Sequence, residues 1–404
     1  MKEKLIIKNF GPIKSVELEL GRFNVLIGEN ATGKSIVAKL WAVCRYFSNI
    51  LDDDLFPKAF EDGLESRGLT EFIQNDSYIF YECKHYSFKA KRDLKKDIER
   101  DEDGEILYEM ERHVFFPTLT SKSEEFKNLL NELKAIQPSV DQYNFYSLMG
   151  GWTIPSSFFQ NDVSAVLDNP LYVPTERGLQ SIFSLGKSSI QNLSDALFNQ
   201  LAELDQVARV FKKETVIEPL GITYKNENGK GYIKKDTDDK YYSLFNAASG
   251  YQSTIPIVLL VKYYSEIRKK SKTFIIEEPE LNLFPSTQDK LMHYLVDKIM
   301  NYNNSILLTT HSPYTLTSIN NLMYAYKVGQ MHTDEANKII EQKYWQDPEN
   351  VSVYMMLPSG RCENIFDRVE SMIKVERIDE ISRILNSQFD SLLDIELGVH
   401  EEKN

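Results

Sequence analysis

Gly28-Glu29-Asn30-Ala31-Thr32-Gly33-Lys34-Ser35 fits the pattern G-x-x-x-x-G-K-[ST] at every position. Glycines at those places let backbone N–H groups close around phosphate oxygens, and a helix starting at the lysine favours negative charge. In such a loop Lys34 reaches the terminal phosphates and the Ser35 hydroxyl ligates magnesium. The pattern can also arise as a chance glycine turn, so the flanks decide. Residues 23–27 form a continuous apolar run of the kind buried inside a sheet. Residues 35–51 then carry Ile36, Leu40, Val43, Phe47 and Ile50 on one helical face. Strand, loop and helix are all present. Gly28, Asn30, Ala31, Thr32, Gly33, Lys34 and Ser35 are therefore the predicted contacts for the phosphates of ATP, with magnesium as its companion.

Further along, Phe274-Ile275-Ile276-Glu277-Glu278 reads as a buried strand ending in two acids. Beside a phosphate loop, the first acid after such a strand holds the magnesium shell, and here it is Glu277 rather than aspartate. Glu278 is then placed to polarise an attacking water. His311 follows another apolar run and two threonines. By itself it reads as a packed histidine; at a strand's C-terminal end beside the other motifs it reads as a γ-phosphate sensor. Ala248-Ser249-Gly250-Tyr251-Gln252-Ser253 opens the helix before the Glu-Glu strand. Ser249 and the Gly250 backbone, with Gln252 beside them, form either an anion-binding cap or a plain N-cap. Spacing leaves both open.

The elements around these residues predict an α/β fold. Residues 4–10, 16–20 and 23–27 read as strands, and 77–88 with 105–116 as an antiparallel pair joined by the charged stretch 91–105. Residues 121–136 read as a short amphipathic helix, and 221–235 as a hairpin turning at Asn228-Gly229. From 244 onward α/β alternation returns, with helix 249–267, strand 273–277, helix 286–300 and strand 305–310. A strand at 352–356 and a helix near 376–395 follow. The predicted organisation is a head made of 1–51 and 168–330, an inserted β-hairpin and helical subdomain at 52–167, and a C-terminal α/β extension at 331–404.

The 404 residues carry a formal charge of -13. That balance repels nucleic acid on average, so DNA contact would need a local basic patch such as 91–96 or 268–272. The three cysteines, Cys44, Cys83 and Cys362, show no C-x-x-C pair, which argues against a disulfide framework or zinc hook and for a reducing compartment. The first ten residues lack the apolar core of a signal peptide, and the apolar run 257–261 is too short to span a bilayer. The expectation is a soluble, cytoplasmic protein with no membrane contact.

The order of these motifs resembles the ABC-type heads of the SMC, RecF and OLD ATPase group. The likeness extends to the opening KLIIKNFGPIKSVELEL, to YVPTERG at 172–178 and to Pro279-Glu280-Leu281-Asn282 after the Glu-Glu strand. It covers about residues 1–50, 170–180 and 245–320. The resemblance implies a P-loop fold of ABC-head type, with a mixed central sheet, an antiparallel β subdomain and a helical insertion. It implies ATP hydrolysis, and homo-oligomers in which two heads sandwich ATP. Ser249 and Gly250 of one head would then meet the γ-phosphate held by the other. Glu280 and Asn282 would belong to the dimer-contacting turn, and His311 would be the switch histidine. ASGYQ departs from the family's LSGGQ at Tyr251, and Gln180 and Glu176 are both candidates for the Q-loop role. No D-x-D follows His311, so no nuclease centre of the OLD type is expected there. Compact ATPases of antiphage systems of the Septu and PARIS kind share this layout, which implies a sensor or scaffold acting with a separate nuclease effector. A DNA-repair head clamping DNA directly is the rival reading, and a transporter subunit a third.

Overall fold

The computed structural model describes residues 2–47, 56–83, 86–92, 108–114, 170–180, 195–269, 271–374 and 380–396. The chain opens with an antiparallel pair, β1 (Glu3–Phe10) and β2 (Ile13–Leu20). In β2 the apolar residues Ile13, Val16, Leu18 and Leu20 are buried and the residues between them exposed, the alternation of a sheet with one wet face. The wholly buried β3 (Phe23–Gly28) leads through the phosphate loop into α1 (Lys34–Phe47).

Helix α2 (Phe56–Glu65) precedes β4 (Ile73–Glu82), β5 (Tyr86–Arg92) and β6 (Tyr108–Val114). The expected single strand at 77–88 is thus two. β4 pairs with β1, and β5 turns back to pair with both β4 and β6. The buried positions shift from Ile79 and Tyr81 to Phe88 and Ala90. That change of parity marks the break, since one strand cannot present odd and even positions on one face. Most of the charged stretch 91–105 and the predicted helix at 121–136 lie outside the described residues.

Next come β7 (Leu171–Val173), α3 (Asp195–Ala208), β8 (Thr215–Ile217), β9 (Ile222–Glu227) and β10 (Lys230–Lys235). Asn228 and Gly229 join β9 to β10 with φ of 51° and 83°. Positive φ at both central residues is what a two-residue hairpin turn of this hand requires. After β11 (Tyr242–Ser243) follow α4 (Ser249–Lys262), β12 (Thr273–Glu277), α5 (Pro285–Met300), β13 (Ser305–Thr310), α6 (Pro313–Gly329) and α7 (Thr333–Ile339). The chain continues through β14 (Val351–Met356), β15 (Cys362–Asn364), β16 (Phe366–Asp367), β17 (Met372–Ile373) and α8 (Glu380–Glu396). Helix α4 widens into a π-helical stretch, Tyr263–Arg268, which covers the end of the helix expected at 249–267.

The centre is a six-stranded sheet in the order β15-β14-β3-β13-β12-β7. Its pairings are parallel except that of β15 with β14. Val25, Ile276, Leu308 and Val353 point to one face, where they meet Val258 of α4, Leu291 of α5 and Leu316 of α6. Leu26, Ile275, Leu307 and Tyr354 point to the other, against Val37 and Trp41 of α1 and against Leu5 and Ile7 of β1. Both faces are covered, so these strands read as largely apolar runs rather than alternating ones.

This is the expected α/β fold with a mixed central sheet and an antiparallel β layer. Of the helical part of the insertion, α2 is described, and the helix expected at 121–136 lies outside the described residues. β14, from the segment read as a C-terminal extension, sits beside the phosphate-loop strand, with Val353 opposite Val25 and Met356 opposite Gly28. β4, from the segment read as an insert, completes the antiparallel sheet with β1. Hydrogen-bonded sheets therefore join the head to both the segment read as an insert and the segment read as an extension. Among the described residues no helix is long and apolar enough to cross a membrane.

Candidate nucleotide site

The C-terminal ends of β3, β13 and β12 lie side by side, because Ile27 pairs with Thr310 and Thr309 with Glu277. Ligands of open α/β sheets bind at such an edge. The phosphate loop leaves β3 at Gly28, where an added Cβ would collide with the Met356 carbonyl oxygen. Gly33 (φ 93°) and Ala31 (φ 60°) both take left-handed backbone, and Thr32 Oγ1 donates to the Glu29 carbonyl at 2.9 Å. Gly28→Ala should therefore push the loop from β14. Overpacking of this kind costs roughly 1–3 kcal/mol, so the variant should melt several degrees lower and lose ATP binding, checked by thermal unfolding with and without nucleotide.

Lys34 is 6 % exposed. Its ammonium donates to the carbonyls of Gly28 (2.9 Å) and Glu29 (2.7 Å). Burial lowers its pKa, opposed by the carboxylates of Glu278, Glu277 and Glu280. A cation thus faces three acids across the site. Ser35, at the start of α1, is exposed.

Glu277 is 5 % exposed, and neither its Oε1 nor the hydroxyl of the neighbouring Tyr172 makes a hydrogen bond of sound geometry among the described residues. A buried carboxylate oxygen without a partner is costly, and a divalent cation is the partner its chemistry suits. Magnesium takes one or two protein oxygens and fills its shell from phosphates and water, so Ser35 and Glu277 fit it. Beside them, burial and the Glu277 carboxylate push the Tyr172 phenol far above its ordinary pKa.

Glu278 adopts φ 42°, a conformation costing about 1–3 kcal/mol for a residue with a side chain. Its N–H donates to the Thr309 carbonyl at 2.9 Å, and its carbonyl accepts from Arg177 at 2.6 Å. The strained backbone turns the carboxylate toward His311, whose Nε2 lies 3.3 Å from Glu278 Oε1. Glu280 is buried, which raises its pKa. Its Oε1 accepts from the Thr310 hydroxyl and, at 3.0 Å, from the His311 N–H. Glu280 thereby fixes the strand exit that carries His311, a role from which spacing gave no signal.

Helix α4 starts at Ser249, and the N-cap is Ala248 with no side-chain capping bond. The plain N-cap reading of Ser249 is thus set aside: Ser249 occupies the first turn and is exposed. Gln252 is turned inward, its amide donating to the carbonyls of Leu244, Phe245 and Ala247. It holds the loop that leads into the helix. Tyr251, the departure from LSGGQ, packs partly buried against the core. Gly250 approaches the Asn282 carbonyl so closely that a Cβ would lie 2.7 Å from it. Of the two Q-loop candidates, Gln180 is buried and Glu176 exposed. Sequence reasoning missed Arg177, a wholly buried arginine between them. The one basic residue in the quoted YVPTERG was its signal.

Fold and site together define a P-loop architecture with a two-acid strand and a histidine on one sheet edge. Residues 154–316 match the family described as an AAA ATPase domain. The match takes in Ser249, the two acids and His311, and leaves the phosphate loop outside it. No curated protein matches the chain. Among solved structures, the SMC head domain from Thermotoga maritima is similar over 90% of this chain and 98% of its own, at 12% identity and TM-score 0.39. An SMC head bound to the C-terminal winged-helix domain of ScpA is similar over 90% and 96%, at 9% identity and TM-score 0.45. An SMC head with an extended coiled coil, bound to the C-terminal domain of ScpA derived from Pyrococcus furiosus, covers 95% and 99%, at 10% identity and TM-score 0.38.

Proposed function

We propose that this chain binds and hydrolyses ATP with magnesium in a site completed by pairing two copies head to head. The observation that carries this is the convergence of Lys34, Glu277, Glu278 and His311 at one sheet edge. The phosphates are held by the backbone of Gly28–Ser35 and by Lys34, and the metal by Ser35 and Glu277. Glu278, aligned by its strained backbone and by His311, accepts a proton from the attacking water. His311 then sits where a terminal phosphate can meet its ring.

Pairing is supported by what stands exposed beside these motifs. Ser249 faces solvent at a helix N-terminus. Phe284, just after the turn at Asn282, is 76 % exposed, and Tyr314, three residues after His311, is 57 % exposed. Large aromatic groups left in solvent around polar motifs are the usual mark of a contact surface.

The ATP-driven pair acts, in this reading, as a sensor or scaffold governing a separate effector, a nuclease of an antiphage system. That half rests on the motif order described above. Exposed apolar residues on α8 (Ile384, Phe389, Leu392 and Ile395) supply a surface for a protein partner. The test is purification of the tagged chain from its native host with ATP and magnesium, followed by mass measurement of the complex. A stoichiometric second protein with nuclease activity is the expected result. A bare pair carrying duplex DNA in a salt-sensitive manner would replace the effector reading with a DNA clamp.

A further inference from the structure

We propose that Arg177 is a positioning residue that ties the helix bearing Ser249 and Gly250 to the acid that activates water, so that one protomer's two half-sites engage together. This rests on the head-pair reading above. The Arg177 guanidinium donates from Nε to the Ser253 carbonyl (2.8 Å) and from Nη1 to the carbonyls of Pro174 (3.0 Å) and Glu277 (2.6 Å). From Nη2 it donates to the Glu278 carbonyl (2.6 Å). Its partners come from the loop after β7, from α4 and from the exit of β12. A planar fork spreads five donors over three nitrogens in one fixed plane, where an ammonium offers three from a single point.

Burial lowers the arginine to about 10, so it stays charged at neutral pH. Its hydrogen bonds all go to neutral carbonyls, while the nearby carboxylates of Glu280, Glu278, Glu277 and Glu176 favour its charge. Each segment it touches leads directly to a candidate site residue.

The lock continues beyond Arg177. The Ser253 hydroxyl donates to the Leu281 carbonyl (2.9 Å) and the Gly250 carbonyl (3.2 Å). Gly250 in turn abuts the Asn282 carbonyl. The start of α4, the turn at 279–284 and the strained Glu278 backbone therefore form one hydrogen-bonded block. In a head pair, the Ser249 end of that block addresses the partner's nucleotide, while Glu278 addresses its own. Movement at either end is carried to the other.

The test places Arg177→Lys in the wild-type chain and in a Glu278→Gln chain. In the wild-type background, turnover should fall about 10- to 100-fold, the scale of an ångström-sized misplacement, with Kd for ATP within about twofold, since the lysine leaves the phosphate loop untouched. In the Glu278→Gln background hydrolysis is already slowed on the order of 100-fold, so loss of pairing there reports the Ser249 end rather than turnover. Sedimentation in ATP should show the pairing constant weakened about tenfold, roughly 1.4 kcal/mol. Unchanged turnover, or unchanged pairing in the second background, overturns the proposal. Where Arg177→Lys does not fold, Ser253→Ala removes the next link of the block, the hydroxyl bonds to the Leu281 and Gly250 carbonyls, while leaving the carbonyl that accepts from Arg177, and is read by the same two measurements. A Glu278→Gln chain that binds ATP yet never pairs removes the head-pair reading itself, and the proposal with it.

Discussion

Glu278→Gln is expected to keep ATP binding and to slow hydrolysis on the order of 100-fold or more, the usual worth of a positioned general base. Glutamine preserves the shape of the side chain and loses the ability to take a proton. The backbone that aims it is independent of the carboxylate: the Glu278 N–H and carbonyl are held by Thr309 and Arg177. The substitution should therefore leave the strained turn in place. The 3.3 Å contact with His311 Nε2 becomes a neutral amide contact, within reach of a hydrogen bond only on closer approach. Phosphate release at saturating ATP, beside equilibrium binding of a fluorescent ATP analogue, separates the two effects. Hydrolysis at the wild-type rate would remove Glu278 from the chemistry.

Lys34→Ala acts one step earlier and should abolish tight ATP binding. The buried ammonium is, beside the wholly buried Arg177, a positive group near the carboxylates of Glu277, Glu278 and Glu280. Without it, incoming phosphates meet an excess of negative charge. Hydrogen bonds to charged groups contribute roughly 1.5–3 kcal/mol each, so loss of one phosphate contact corresponds to about 10- to 100-fold in Kd. The alanine also leaves the Gly28 and Glu29 carbonyls without the donor they now share. Titration calorimetry with ATP and magnesium reads the result. Wild-type affinity in Lys34→Ala would move the nucleotide elsewhere on the chain.

The sequence by itself determined the local chemistry. The phosphate loop follows from glycine spacing between a buried strand and a helix, because that backbone path is dictated by residues adjacent in the chain. The strand ending at Glu277, the strand before His311 and the hairpin at Asn228-Gly229 were legible for the same reason: each is set by periodicity or by a turn's demand for positive φ.

Only the tertiary structure decided what non-neighbouring residues do to one another. That β14 flanks β3, with Gly28 pressed against Met356, follows from parallel pairing across more than 300 residues, which no local pattern encodes. That Ser249 is not a cap, that Gln252 turns inward and that Glu280 holds the His311 backbone all depend on which carbonyls lie within reach after folding. Arg177 is the clearest case. In sequence it is one charged residue in a loop; in the fold it is the buried donor to carbonyls near residues 174, 253 and 277–278. Hydrogen bonds to backbone carbonyls carry no side-chain signature in the acceptor, so their convergence becomes visible only once the sheet has brought those segments together.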